Sequence, residues 1–307
     1  MAGAGTDSME FDGGLNMGRT PSPELRERWL AATRLPGVED ARESCLLELS
    51  EYTEEHREVV EQRCERAVDE QRDLWYERAR DDEASLTDFY NGCDAYVYEL
   101  LWWHALQQGD APVWNARILD IARQFQSKRY LDFGGGIGTN GILIGREGID
   151  VTIADISDVL QKCARWRLAR REIPAQFIDL KTTPLVEGAY DLISAVDVLE
   201  HVADPLETLR TLHGALAPGG VLVFDLIASK PDPERPFHLL RSKFPIRSTV
   251  RGLGFRHVES FQKYEVYQRI VRSPLSRSFV RTWDVTRWRL YYLAQGEWPR
   301  SRVRSQK

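Results

Sequence analysis

Cysteine is scarce and scattered: Cys45, Cys64, Cys93 and Cys163 are the four in 307 residues, far apart and forming no CxxC pair. That spacing argues against a disulfide framework or a zinc site and points to a reducing, cytoplasmic compartment. Long apolar runs are also missing. The longest, "GGVLVFDLIA", suits a buried strand and falls well short of a membrane span. The opening "MAGAGTDSMEFDGG" has neither the basic n-region nor the apolar h-region of a secretory signal, so residues 1–20 are expected to form a flexible tail. No repeat of fixed period is present.

The composition is otherwise that of a globular protein, 42% hydrophobic and 29% charged, enough for one large or two modest domains. Net charge is −6 but uneven: residues 1–110 carry 26 acidic and 11 basic side chains, a net −15. An acidic front half repels nucleic acid. The basic segment from Arg272 onward complements that half or meets an anion.

Residues 38–80 read as helix, with Leu46, Leu49, Tyr52, His56, Val60, Cys64, Ala67 and Leu74 recurring near a 3.5-residue spacing. A second helix is expected from Thr87 or Asp88 to Gly109, carrying Phe89, Cys93, Val97, Leu100, Leu101 and His104 on one face. From about residue 128 the pattern changes. "KRYLDF", "DVTIAD", "AQFID", "YDLISAVD" and "GGVLVFDL" are strands separated by a glycine loop and helical stretches, which implies a parallel, doubly wound α/β sheet. "FRHVESFQ" and "YEVYQRIV" lie too close together for a crossover helix and are expected as an antiparallel edge pair. "SFVRTWDVTRWRLYYLAQG" is a last, aromatic-rich helix candidate.

The loop "LDFGGGIGTNG" follows the first strand, where doubly wound sheets bind ligands. Gly136, Gly138 and Gly141 also fit G-x-G-x-x-G, which leaves an NAD-binding oxidoreductase as an alternative. Asp132 separates the two readings. A carboxylate at the strand end repels a pyrophosphate but attracts an ammonium group, and S-adenosylmethionine (SAM) carries an α-amino group and a sulfonium with no phosphate. Asp155, ending the second strand, suits ribose hydroxyls. Asp179, ending the third, suits an adenine amino group or a turn cap.

"LDFGGGIGTNG", "VTIADIS", "FIDL", "YDLISAVDVLEHVADP" and "LAPGGVLVFDL", in this order and spacing, resemble class I SAM-dependent methyltransferases, closest to the small-molecule group that includes ubiquinone-pathway O-methyltransferases. The resemblance spans about Arg129 to Leu226. It implies a Rossmann-like seven-stranded sheet with an antiparallel last strand. It also implies SAM as cofactor, with contacts at Asp132, Gly134, Gly136 and Gly138, at Asp155 and Ile156, at Asp179 and Leu180, and at Val196.

In "DVLEHVADP", Asp197, Glu200 and His201 stand at i, i+3 and i+4 and would share one side of a helical turn. Two carboxylates and an imidazole suit a divalent cation, which some of the resembling enzymes use here; three adjacent residues are an incomplete ligand set, and no metal is assigned. His201 suits the general base that a hydroxyl acceptor needs, and Asp197 is a comparable candidate.

The acceptor pocket is expected from additions to the core. One is the helical cap, residues 21–115, whose Tyr90, Tyr96, Tyr98, Trp102, Trp103 and His104 exceed one core-facing stripe; Tyr90, Tyr96 and Trp103 are taken as acceptor contacts. The other is the insert after the fifth strand, where His238, Arg241, Lys243 and Arg247 could meet an anionic group and His238 is taken as a contact. Residues 116–272 are then the SAM-binding domain and 273–307 a basic extension. The function expected is methylation of a small-molecule acceptor, in the manner of specialised metabolism. RNA or protein methylation and a non-catalytic SAM-binding role remain as alternatives. No nucleic-acid or membrane partner is expected, and there is room for a homodimer.

Overall fold

In a computed structural model of the chain, residues 20–77, 83–106, 110–225, 227, 233, 236–240 and 244–270 are described. Most of the expected tail, the basic C-terminal extension with its helix candidate, and Arg241 and Lys243 lie outside them.

Local signals set the element ends. Ser22 caps α1 (Pro23–Thr33), accepting from the Leu25 amide, with Pro23 pre-set at the first position. Asp40 caps α2 (Ala41–Thr53) in the same way. The single helix expected over residues 38–80 is two, because the chain turns before α3 (Arg57–Glu77). Thr53 Oγ1 bonds back to the Leu49 carbonyl and accepts the Glu55 amide, and Glu54 adopts a left-handed φ of 63°. The next expected helix also divides, into α4 (Glu83–Gly92) and α5 (Ala95–Leu106). Gly92 is a poor helix former, and Asp94 beyond it receives Arg63 of α3. A 3-10 turn (Pro112–Ala116) leads into α6 (Arg117–Gln124).

The sheet follows: β1 (Arg129–Phe133), α7 (Thr139–Gly145), β2 (Asp150–Asp155), α8 (Asp158–Arg170), β3 (Ala175–Asp179), β4 (Tyr190–Ala195), α9 (Pro205–Ala215), β5 (Leu216–Asp225), α10 (Phe244–Leu253), β6 (Phe255–Phe261) and β7 (Tyr264–Arg269). The seven strands lie in the order β3-β2-β1-β4-β5-β7-β6, and β7 runs antiparallel to both its neighbours. β1, β2 and β4 are buried almost continuously, as strands covered on both faces must be. One face packs on α1, α6, α7 and α8 around Trp29, Ile118, Ile142 and Leu168. The other packs on α9 and α10 around Leu209, Leu212 and Ile246. A third cluster, from Leu46, Leu49 and Val60 to Phe89, Val97 and Leu101, joins the cap helices to Ile137, Leu160 and Cys163 of the core. Edge strand β6 exposes Arg256 and His257, charge and polarity that discourage further pairing.

Parallel pairing aligns the carboxyl ends of four strands. Asp132 lies beside Ile153 and Ser194, and Asp155 beside Asp179. The candidate residues of the sequence therefore gather along one edge, where the strand order reverses between β1 and β4.

Candidate active site

Asp132 is 2% exposed. Its Oδ1 accepts from Ser194 Oγ at 2.7 Å, which in turn lies 2.5 Å from Tyr130 Oη, and more weakly from Asn140 Nδ2 at 3.5 Å. Its Oδ2 has no partner, nor has Asn140 Oδ1. Burial pushes its pKa up to about 6, against the stabilising Ser194 contact. Two orphaned acceptors, one at the end of β1 and one in the first turn of α7, are costly unless a ligand donates to them.

The loop beside it is held from several sides. Gly134 has φ +66°, and a Cβ there would overlap Val198. Gly138, φ +76°, caps α7 and packs on Leu168 and Ala164. Those two glycines answer to backbone shape and packing. Gly136, φ +53°, answers to backbone shape alone: a Cβ there would only touch Leu100 of the cap, at 3.4 Å. Its amide donates to Asp155 Oδ2 at 2.9 Å, and the Ser157 amide donates to Oδ1 at 2.8 Å. Asp155, buried at the end of β2, thus ties the loop to the start of α8 while two carboxylate oxygens retain spare lone pairs. Burial raises its pKa, with those amides opposing. Ile156 follows it, half-buried, its carbonyl accepting Lys181 Nζ at 2.7 Å. Asp179 caps the turn after β3, accepting the Lys181 amide and facing Lys181 Nζ at 3.1 Å; the slight burial is outweighed by Lys181, and its pKa falls. Leu180 is half-buried beside it, and Val196 half-buried after β4.

The "DVLEHV" segment departs from expectation. It forms no helix: Asp197 takes a left-handed φ of 54°, and a single turn bond joins the His201 amide to the Val198 carbonyl. Asp197, Glu200 and His201 therefore do not share a face. Asp225, at the end of β5, takes the place given to His201, and oxygens of Asp197, Glu200 and Asp225 lie within 4.8 Å of one another. Asp225 Oδ1 accepts the Asp197 amide at 2.8 Å, fixing the unusual backbone. Such a set could hold a cation, and an ammonium already sits there. Lys263, from the β6–β7 turn, hydrogen-bonds Asp197, and its Nζ lies 2.8 Å from Asp225 Oδ2 outside hydrogen-bond geometry. Burial opposes the Lys263 charge, but Asp225, Tyr264 and Asp197 outweigh it and its pKa rises. Burial would also raise Asp197, yet Lys263 brings it below the ordinary carboxylate range. Asp225, pushed up first by burial and then by Asp197, reaches about 7. Glu200, fully buried with neither carboxylate oxygen partnered, is raised well above the ordinary carboxylate range by burial and by Asp225 and Asp197.

His201 turns to the cap instead. Its Nδ1 lies 3.1 Å from the Phe237 carbonyl and 3.1 Å from Tyr90 Oη, and its ring stacks on Phe237 with His238 edge-on at 5.0 Å. Donation to the carbonyl fixes the Nδ1–H tautomer and leaves the lone pair on Nε2. Burial, then the neighbouring His238, lowers its pKa to about 4. Tyr90 and Tyr96 pack together at 5.7 Å, and Tyr96 reaches Phe237 at 6.4 Å. Three of the four expected acceptor contacts, Tyr90, Tyr96 and His238, therefore converge around His201 and Phe237. Trp103 does not; it lies against His104, 5.2 Å between ring centres. The cap is docked by polar contacts as well, since the Tyr90 carbonyl accepts Ser157 Oγ and Asn91 Oδ1 accepts the Asp158 amide, both at 2.9 Å.

Residues 102–267 match a family described as a methyltransferase domain. The ubiquinone biosynthesis O-methyltransferase of Bordetella avium is 27% identical over 138 residues, 44% of this chain and 57% of that protein. The demethylmenaquinone methyltransferase of Thermus thermophilus is 29% identical over 131 residues, 41% of this chain and 59% of that protein. The chain spans about half the length of the curated relatives it matches. A solved O-methyltransferase family protein from Burkholderia thailandensis superposes with a TM-score of 0.44 at 17% identity, over 58% of this chain and 62% of that one. With more than half of its length matched, and with the strand order and carboxyl-edge site described above, the chain belongs to the methyltransferase-domain family.

Proposed function

We propose that the chain binds SAM along the carboxyl edge of β1, β2 and β3 and methylates a small-molecule acceptor held between the cap and the segment after β4, in the cytoplasm. The observation that carries this is the pair of orphaned, buried acceptors, Asp132 Oδ2 and Asn140 Oδ1, beside the glycine loop. An ammonium donor satisfies both, whereas a pyrophosphate would be repelled by the first. Asp155 is placed to accept from ribose hydroxyls, and Asp179 with Leu180 from the adenine side. The cofactor, when bound, supplies an electrophilic methyl group for in-line displacement.

The chain supplies the rest. His201, neutral at pH 7 with its lone pair on Nε2, takes the proton of an acceptor hydroxyl. Asp197 is the weaker candidate for that role, because Lys263 holds its carboxylate ionised and occupied. Tyr90, Tyr96, Phe237 and His238 form an aromatic wall that suits a flat or apolar acceptor and excludes water. The names of the relatives make ubiquinone-pathway intermediates and demethylmenaquinone the first acceptors to try. Among the described residues no helix is long and apolar enough to cross a membrane.

Calorimetric titration tests the reading. S-adenosylhomocysteine (SAH) or SAM should give binding heat and NAD none. Tight NAD binding without a SAM or SAH signal would replace it with the oxidoreductase alternative.

A further inference from the structure

Under the glycine loop lies a buried ion pair that the reaction does not use. Glu48 of α2 and Arg167 of α8 are both fully buried, with Nε donating to Oε1 at 3.1 Å. Arg171 holds the same carboxylate at 2.5 and 3.0 Å and is itself almost fully buried. Burying two guanidinium groups against one carboxylate is expensive, and apolar side chains of like volume would join two helices at least as well. A guanidinium adds something apolar groups cannot, which is its remaining donors. Arg167 Nη1 donates to the Ile137 carbonyl at 2.8 Å and to Thr139 Oγ1 at 2.9 Å.

Ile137 stands between Gly136 and Gly138, both left-handed at φ +53° and +76°. On the far side of this turn the Gly136 amide is held by Asp155. The loop is therefore gripped from two directions, by Asp155 along the sheet edge and by Arg167 from beneath. Thr139 opens α7, and its Oγ1 also meets His104 Nδ1 of α5 at 3.0 Å. Burial, followed by Arg167, lowers the His104 pKa to about 3, so the ring is neutral and accepts the Thr139 hydroxyl proton. Two cap helices thus reach one loop, α2 through Glu48 and Arg167, α5 through His104.

We propose that Arg167, oriented by Glu48 across the cap–core junction, is a positioning residue for cofactor binding: it sets the Ile137 carbonyl and the Thr139 hydroxyl that shape the glycine loop, so the docked cap is part of the SAM site. The inference rests on the SAM reading above.

Arg167→Lys keeps a charge but lacks the planar fork that serves Glu48, Ile137 and Thr139 together. Thr139→Val removes the loop-side hydroxyl and leaves the Glu48–Arg167 pair in place. SAH dissociation constants are measured by calorimetry at a temperature where melting curves show each protein folded. Arg167→Lys should raise the constant about tenfold and Thr139→Val several-fold, with faster amide exchange at residues 136–139 in both. A strut without a positioning role would lower the melting midpoint and leave the SAH constant and loop exchange unchanged. That result in both variants overturns the proposal, and Thr139→Val decides alone where Arg167→Lys does not fold. Wild-type protein that gives no SAH heat overturns the SAM reading and this inference together; wild-type affinity matched by both variants overturns this inference only.

Discussion

The candidate site is built largely from single carboxylates, each marked by its environment. Asp132 is the clearest. Its pKa of about 6 lies above the ordinary carboxylate value, so the folded chain holds a proton that the unfolded chain has released. The contribution of Asp132 to ligand-free stability then falls as pH rises from about 4 to about 6 and stays low above. Asp132→Asn removes that penalty. It should stabilise the ligand-free protein at pH 7 by about 1–3 kcal/mol in urea denaturation while weakening SAH binding. An equal gain at pH 4 and pH 7 would show that ionisation of Asp132 is not the source. His201 shifts the other way: burial depresses it to about 4, so it is a neutral base across the working range. His201→Ala should reduce turnover by about 10²–10⁴ at unchanged SAH affinity. Turnover equal to wild type would leave it a packing residue of the cap contact. Both side chains were visible in "LDFGG" and "LEHV", because strand-end acids and a lone histidine stand out in a linear pattern. Their orphaned and stacked environments were not, since Ser194 and Phe237 are contributed from far along the chain.

Among the elements, the turns at the carboxyl ends of β4, β5 and the β6–β7 hairpin form the electrostatic unit. Three carboxylates and one ammonium share a space that periodicity had divided differently. The helical spacing of Asp197, Glu200 and His201 predicted a common face, and a left-handed Asp197 breaks it. Asp225 and Lys263 went unnoticed as site residues, although Asp225 ends a strand as Asp155 and Asp179 do, and Lys263 sits in the tight turn "FQKYEV". Lys263→Met leaves the carboxylates without their counter-charge. It should cost about 3–5 kcal/mol at pH 8 and much less at pH 5, where Asp225 keeps its proton. Urea midpoints at the two pH values check this, and a loss independent of pH would mean that packing of the lysine stem dominates. Because the ammonium occupies the position open to a cation, EDTA should leave the melting midpoint and the SAH affinity of the wild type unchanged. A drop in either would reassign the cluster to a metal.

For the molecule as a whole, the proposed site spans the cap and the sheet. Leu100 lies over Gly136, the Tyr90 carbonyl receives Ser157, and Tyr90 meets His201, so α4 and α5 cover the carboxyl edge of the sheet at the glycine loop. If SAM binds on the proposed edge, beneath these helices, its binding should slow amide exchange across residues 83–106. Slowing confined to β1, β2 and their loops would show that the cap does not close over the cofactor. Linear spacing was enough to read the alternation of strands and helices, the antiparallel pair at the edge, the glycine loop and the acids that end β1, β2 and β3, because each depends on near neighbours in the chain and on the two- or 3.6-residue repeat of its own element. It was not enough for the division of the cap helices, which turns on Thr53 bonding its own backbone and on Asp94 meeting Arg63. Nor did it reveal Lys263 between Asp197 and Asp225, or Arg167 between Glu48 and Ile137. Those partners lie far apart in sequence, and only tertiary packing decides which buried charge meets which: the sheet's strand order for Lys263, and the cap docked on the sheet for Arg167.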